Sequence, residues 1–478
     1  MAANNGWGEL MSGGNGLKVV VFAGGVALQA IETFIGSTLL PSVVGDIGGL
    51  ELFAWNTTVF IVASIVAAMF AAVRPFGVGP RGSYLLAALG FGIGSLICGF
   101  APSMDVMLIG RAVQGFGAGL LTAMSYAMIR LVFPTHLWGR AFAVISSVWG
   151  VSTLIGPAIG GVFAELDAWR WAFFLLFPAA VLLGAGALRV VPKQSDEQGM
   201  QGFPIPQILL MVAAVLALSM ASILTESTVL AAALVAAAAL ALVLLGVFDR
   251  HSAIRLFPRG TFRWGSALAP LFAAMILVNA AIVSDIFIPY FLQNLHGLGP
   301  LLAGYMVALV ALGWSSGSVT VSSWTGSRAR TALAAGPLLQ LAGTIGLALF
   351  VGRDNTAGAI LPLLPIGFSL FLLGLGIGIS WPHISTRLLH AAPDGERDLT
   401  SASISMVQLL AAGLGAAVAG VIANAGGLAS AGGTTTAISA ATWLYGSFIV
   451  VPLLAIPIVR AIVRTEAVDA AMAEVPAE

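Results

Sequence analysis

Three ionisable residues, Glu32, Arg111 and Asp285, stand inside long apolar stretches of this chain. Glu32 lies in QAIETFIGSTLLP (29–41), Arg111 in LIGRAVQGFGAGLL (108–121) and Asp285 in AIVSDIFIPY (281–290). On insertion scales a charged group at the centre of a membrane helix costs about 2.5–3.5 kcal/mol, and groups that stay there by default mark ion pathways or proton relays. Two chemistries are open. Arg111 neutralises one carboxylate as a structural ion pair while the other acid stays protonated, or at least one acid loads and releases a proton. Burial raises a carboxyl pKa and a nearby arginine lowers it, so a changing distance to an arginine can switch such a group. On the second chemistry Glu32 couples protons together with Arg111. Asp285 is then a second proton site or the anionic contact for a cationic substrate.

The elements around these residues must span a membrane. Of 478 residues, 59% are hydrophobic and 8% are charged, against roughly a quarter charged in a soluble globule. A span needs about 20 predominantly apolar residues. Runs of that kind fall at 18–41, 53–73, 82–101, 104–131, 139–164, 169–190, 204–224, 227–247, 266–294, 299–324, 332–351, 360–387, 399–424 and 437–463. With fourteen spans and a cytoplasmic N-terminus, seventeen Lys and Arg fall in the cytoplasmic loops and tails, and two, Arg170 and Arg353, fall outside. Positive charge is expected on the cytoplasmic side, and a miscounted span would scramble that asymmetry. The apolar run after Lys18 is too long for a cleavable signal and is expected to stay as the first span.

The organisation reads as six, two, six: an N-terminal six-helix bundle (1–192), a linker with two extra transmembrane helices (193–265), a C-terminal six-helix bundle (266–464) and a cytoplasmic tail (465–478). The two bundles correspond weakly in sequence. The fourth span contains GFGAG (Gly115, Gly117, Gly119) and the twelfth contains GLGIG (Gly374, Gly376, Gly378). Glu32 and Asp285 each precede a proline, Pro41 and Pro289. Parallel halves of this kind are a transporter signature, with substrate bound near the midplane. At 1.5 Å per residue, continuous helices ending near Pro41 and Asn294 and one entering at Met104 would place all three charges about 10–14 Å below the outer surface. Glu226 falls in the turn between spans seven and eight and is expected at the interface.

Other polar and aromatic residues complete a candidate cavity: Gln29 and Thr33 beside Glu32, Gln114 beside Arg111, Asn279 and Tyr290 around Asp285, and Trp149, Trp314 and Trp381 as stacking surfaces. His383 and His390 are expected at the cytoplasmic interface. In GVSTLIGPAIGG, Gly156 and Gly160 share a helical face that lets another backbone approach. Pro157 removes a hydrogen bond and permits a bend; Gly150 and Gly161 flank the motif.

Together these segments resemble the major facilitator superfamily, and within it the fourteen-span drug:proton antiporter branch. The first-span motif looks like IETFIGSTLLPSVVGDIGG, with Glu32 where the family usually has Asp. LIGRAVQGFGAGLL is similar to the fourth-span motif and places the family arginine at Arg111 and its glutamine at Gln114. GVSTLIGPAIGG resembles the fifth-span antiporter motif, WRWAFFLLFP (169–178) the start of span six, and FIPYFLQNLHGLGPLLAGY (287–305) the exit of span nine. One segment departs. The loop after span two normally reads Gly-x-x-x-Asp-Arg-x-Gly-Arg-Arg; here AAVRPFGVGPRGSY keeps Gly79 and Arg81 but has Phe76 at the acid position.

The resemblance implies an all-α integral membrane protein that exports amphipathic small molecules, multidrug-type, by proton antiport and alternating access. The alternative is export of a specific metabolite or lipid-like compound with atypical or no proton coupling. The expected partners are a small amphipathic substrate, protons and the lipid bilayer, with no nucleic acid and the chain acting as a monomer. The expected location is the cytoplasmic (inner) membrane of a bacterium, with both termini cytoplasmic. The net charge is zero, and Cys98 is the one cysteine, which excludes a cysteine-built metal site. No HExxH or GxxxxGKS occurs, so no enzyme, metal, cofactor or ATP-driven activity is expected.

Overall fold

A computed structural model of the chain describes residues 5–73, 79–193, 204–224, 227–263, 265–430 and 433–473. Among these residues every regular element is helical, and fourteen helices are long and apolar enough to cross a membrane. They are α1 (Asn15–Ile47), α2 (Leu50–Ala68), α3 (Pro80–Gly99), α4 (Met104–Ile129), α5 (Arg140–Glu165), α6 (Trp169–Val190), α7 (Ile205–Ile223), α8 (Thr228–His251), α9 (Leu268–His296), α10 (Pro300–Val321), α11 (Gly326–Phe350), α12 (Leu363–His390), α13 (Leu399–Ala425) and α14 (Thr434–Thr465). Phe76 and Glu226, both singled out in the sequence, lie outside the described residues.

Where α1 stops corrects the expectation that Pro41 ends it. The helix continues through Pro41 to Ile47. A proline in a helix interior costs one hydrogen bond and a bend, and a long helix can absorb both. The stop is the pair Gly48 and Gly49, with φ of 74° and 83°, a conformation that side chains with a Cβ resist. The end of α1 therefore lies six residues beyond the proline from which the depth of Glu32 is counted.

Two compact units emerge from the packing: Met1–Phe203 with Gly299–Tyr305, and Pro204–Leu298 with Met306–Glu478. In the first, the glycines of GFGAG face two ways. A Cβ on Gly115 or Gly119 would run into the α2 backbone at Phe60 or Ser64, and one on Gly117 into the α3 backbone at Phe91. Ser64 Oγ seals the α2–α4 contact by donating to the Gly115 carbonyl at 2.9 Å. The second unit repeats the device. Gly374 and Gly378 of α12 abut the α10 backbone at Val310 and Trp314, and Gly376 abuts α11 at Gly336 and Gln340. The correspondence between GFGAG and GLGIG is thus a repeated helix-packing scheme. Without a hydrophobic drive between helices in lipid, close backbone approach at small residues is a main source of association.

The two extra helices pack in the second unit. Asn424 Nδ2 of α13 donates to the Ser222 carbonyl at the end of α7 at 2.9 Å. Along α8, Val229, Leu240 and Val243 are exposed, an apolar face suited to hydrocarbon.

The segment after α8 is clamped. Buried Asp249 accepts the Leu256 and Phe257 amides at 2.7 and 3.2 Å, and Ser403 Oγ donates to the Leu256 carbonyl at 2.7 Å. Glu396 accepts from Arg255 Nη2 at 2.8 Å and from the Arg259 amide at 2.7 Å. Burial pushes the Glu396 carboxyl up, but the Arg259 and Arg255 hydrogen bonds and charges outweigh it and leave it below the ordinary glutamate range. A depressed carboxyl stabilises the fold above its unfolded pKa, and that contribution disappears as pH falls through the folded one. Glu396→Gln is therefore expected to lower the melting midpoint of the detergent-solubilised protein by roughly 2–4 °C near neutral pH. The gap to wild type should close in acid; a gap that is constant with pH would show that the carboxylate charge contributes nothing.

Candidate functional site

In the first unit the charges meet. α1 delivers Glu32, which is fully buried, and α4 delivers Arg111, which is 3% exposed; Arg111 Nη1 pairs with Glu32 Oε1. Two residues of α4 reinforce each other at helical spacing, for Arg111 Nη1 also donates to Gln114 Oε1 at 2.8 Å. Gln114 Nε2 in turn donates to Ser95 Oγ of α3 at 2.9 Å, and Ser95 Oγ donates to the Phe91 carbonyl at 2.8 Å. From α2, the Asn56 carbonyl accepts Arg111 Nε at 3.2 Å. The guanidinium carbon lies 4.3 Å from the Phe60 ring centroid, a favourable place for a cation. Gly36 leaves space beside the pair: a Cβ there would stand 3.3 Å from Glu32 Oε1 and 3.6 Å from Arg111 Nη2.

The cluster is asymmetric. Oε1 of Glu32 takes the arginine, while Oε2 is buried without a hydrogen-bond partner among the described residues. Buried carboxylate oxygens normally have partners, and each exception calls for a physical account.

Other expected residues of this unit are placed differently. Gln29 is 8% exposed and accepts from Thr122 Oγ1 through its Oε1. Thr33 is exposed and donates to the Gln29 carbonyl of its own helix at 2.9 Å, so the structure does not bring it to the ion pair. Trp149 is 39% exposed. Of the α5 motif, Gly156 and Gly160 do admit α1, abutting Phe34 and Ile35. Gly161 abuts Leu301, Pro157 lies within the helix, and Gly150 faces open space. The ends of two family-like motifs also meet. Asp46, at the exit of α1, accepts from Trp169 Nε1 at 3.1 Å and from Arg170 Nη1 at 2.5 Å at the start of α6.

In the second unit α9 is not α-helical throughout. It is α-helical over Leu268–Ala280, tightens to a 3₁₀ turn over Val283–Phe287, and resumes over Ile288–His296 with Pro289 in its first turn. Asp285 stands in the tight turn, so a uniform rise along this span does not give its depth. Non-α backbone at membrane depth is tolerated where it is buried in protein or lines a cavity. Asn279 Nδ2 donates to the Met275 carbonyl at 2.9 Å. Tyr290 is half-buried one turn beyond Asp285. Gln340 Nε2 of α11 donates to the Val278 carbonyl at 2.8 Å, and Tyr445 Oη of α14 to the Ser284 carbonyl at 3.3 Å. Sequence reasoning missed both. The signal for Gln340 was an amide within the apolar run LLQLAG, which must find a partner in hydrocarbon.

Trp314 and Trp381, expected as separate stacking surfaces, form one pair with ring centroids 6.0 Å apart. Of the two histidines expected at the interface, His390 is exposed and His383 is buried. The segment GWSSG (313–317) has the form Gly-x-Ser-x-Gly but lies within continuous α10, with Gly313 and Gly317 packed on α12. The strand-to-helix elbow that activates such a serine is absent there.

Comparison with known proteins agrees with this architecture. Residues 21–416 match the Major Facilitator Superfamily. A protein of Mycobacterium tuberculosis named "Probable multidrug-efflux transporter" is 38% identical over 433 residues, covering 87% of this chain and 89% of its own. Among solved structures, a POT family transporter in complex with 5-aminolevulinic acid aligns with a TM-score of 0.65 at 16% identity, covering 94% of this chain and 96% of that one. A D-xylose–proton symporter aligns with a TM-score of 0.62 at 16% identity, covering 92% and 96%. At such identities these two structures show a shared fold. With fourteen membrane-length helices, a repeated glycine scheme in two units and a family match over most of its length, the chain belongs to the Major Facilitator Superfamily of membrane transporters.

Proposed function

We propose that this transporter exports amphipathic small molecules, multidrug-type, by proton-coupled antiport and alternating access, from the cytoplasmic membrane of a bacterium with both termini inside. The observation that carries the proposal is the buried Oε2 of Glu32, without a hydrogen-bond partner among the described residues, beside an oxygen already held by Arg111. A proton arriving at Oε2 neutralises the carboxylate and leaves Arg111 as an uncompensated buried cation, which repels a cationic substrate. Loss of that proton restores a neutral pair and removes the repulsion. Charges a few ångströms apart away from water interact strongly enough for one to displace the other. The mycobacterial relative's name supports the substrate class.

Asp285 serves in the second unit as a further proton site or the contact for a cationic group. Gln29, Thr33, Gln114, Trp149, Asn279, Tyr290, Trp314 and Trp381 are assigned to the substrate path, and Gly150, Gly156, Pro157, Gly160 and Gly161 to the bend that antiport requires. Energetically a gradient suffices: about 2.3 kcal/mol per charge through 100 mV, plus about 1.4 kcal/mol per pH unit.

Phe76 at the acid position of the loop after α2 favours a second reading, export of a specific metabolite or lipid-like compound with loose or no proton coupling. Proteoliposomes separate the two. Cationic, neutral and anionic amphiphiles are offered under an imposed pH gradient, and Glu32→Gln is expected to lose gradient-driven transport of the cations. An unchanged response to the gradient removes Glu32 from coupling, and transport restricted to neutral compounds favours the second reading.

A further inference from the structure

The interruption of α9 has one cause in its own sequence: Pro289 has no amide for the Asp285 carbonyl, which takes the Ile288 amide instead. Residues 281–287 read AIVSDIF, without glycine or proline, so nothing local releases the carbonyls that precede Asp285. Left alone, an apolar stretch in lipid closes into a continuous helix, because every backbone group must be satisfied within the segment. Three other helices reach in instead. Gln340 of α11, fully buried, holds the Val278 carbonyl at 2.8 Å, the oxygen that residue 282 would take in an unbroken helix. Tyr445 of α14, also fully buried, donates to the Ser284 carbonyl at 3.3 Å. Gly415 of α13 makes room for the displaced turn: a Cβ there would lie 3.0 Å from Val283 Cγ2 and 3.1 Å from Val283 Cβ. The contacts fall just before Asp285 in sequence, at 278, 283 and 284, and come from three separate elements.

We propose that Gln340, Gly415 and Tyr445 are positioning residues that hold α9 broken around Asp285, keeping this carboxylate out of a regular helix and presented to the transported cation. The function of Asp285 rests on the reading above; the device that holds the break is independent of it. Tyr445→Phe removes one hydroxyl and keeps the ring that packs edge-on against Phe291. Gln340→Leu removes the amide at similar volume. Gly415→Ala puts a methyl where Val283 sits.

The test uses the full-length protein in proteoliposomes, carrying Cys98→Ser so that an introduced thiol is labelled alone. The rate of maleimide labelling of the Asp285→Cys variant is measured with and without each of the three changes. Labelling of Ser12→Cys, at an exposed position in the first unit, is followed in parallel. Loss of one buried hydrogen-bond partner shifts such an equilibrium by about tenfold. Labelling at 285 should slow by about that factor while labelling at 12 is unmoved. In protein with Asp285 intact, the KM for ethidium, a planar cationic amphiphile, should rise by a similar factor with the maximal rate little changed. Equal labelling at 285 in all backgrounds overturns the proposal, as does an equal slowing at 12, which would mean that the change is not local to α9. Slowed labelling combined with normal ethidium export by Asp285→Asn leaves the positioning device standing and removes Asp285 from the transport reading.

Discussion

Arg111→Leu should yield a transporter that is both inactive and poorly stable, and adding Glu32→Leu should restore the stability without restoring transport. Each single change at this pair leaves one buried group uncompensated. Breaking a buried pair from one side costs about 3–5 kcal/mol, whereas replacing both members with apolar side chains of similar volume is often neutral or better. The pair here is 3% and 0% exposed, so water cannot stand in for the missing partner. The measurement is the thermal midpoint of each purified variant beside gradient-driven export in proteoliposomes. A single variant as stable as the double would mean that Glu32 takes up a proton at no cost when its partner leaves, and would make the ion pair dispensable to the fold. Export by the double variant would remove the pair from the mechanism altogether.

What the sequence disclosed follows from what is expensive in hydrocarbon. Glu32, Arg111 and Gln114 stood out because charges and amides are rare in membrane-length apolar runs, and the structure joins all three. The spans were legible for the same reason, since their ends carry the charge the interiors exclude. The repeated glycines were legible as a pattern, although not as to which neighbour each would face. Other partners of the site carry no local mark. Asn56 contributes its backbone carbonyl and Phe60 its ring face, and neither function changes the residue type that a membrane helix would use anyway. The break in α9 is least legible of all. Pro289 marks its far end, but Gln340, Gly415 and Tyr445, which hold the residues before Asp285, lie 53 or more positions beyond AIVSDIF, so only the packed structure reveals them. Proline misled once: Pro41 was expected to end α1, yet the Gly48–Gly49 pair ends it.

Gly374→Ala and Gly115→Ala are expected to be among the more damaging single-methyl additions at the described glycines, and Gly150→Ala among the mildest. At Gly374 a Cβ would fall onto the Val310 carbonyl, and at Gly115 onto the Phe60 backbone. Backbone cannot step aside as a side-chain end can, so two helices must separate along their contact. Overpacking of that kind costs about 1–3 kcal/mol and sometimes more, and separation of α4 from α2 also pulls Arg111 away from the Asn56 carbonyl that orients it. Gly150 has nothing within 4 Å of the site of its Cβ, and alanine is the better helix former by about 1 kcal/mol. Gly150→Ala should therefore leave the melting midpoint unchanged or raise it. Gly150 nevertheless belongs to the α5 segment assigned to the bend, and this makes it the informative member of the set. If the segment works by static packing alone, Gly150→Ala exports like wild type. If the glycine is kept for a conformation that the chain visits while alternating, the same variant is stable and slow, with its maximal rate reduced and its binding of ethidium intact. Stability and turnover measured on the one variant thus separate packing from motion, which the packed glycines at 115 and 374 cannot do because they fail on both counts together.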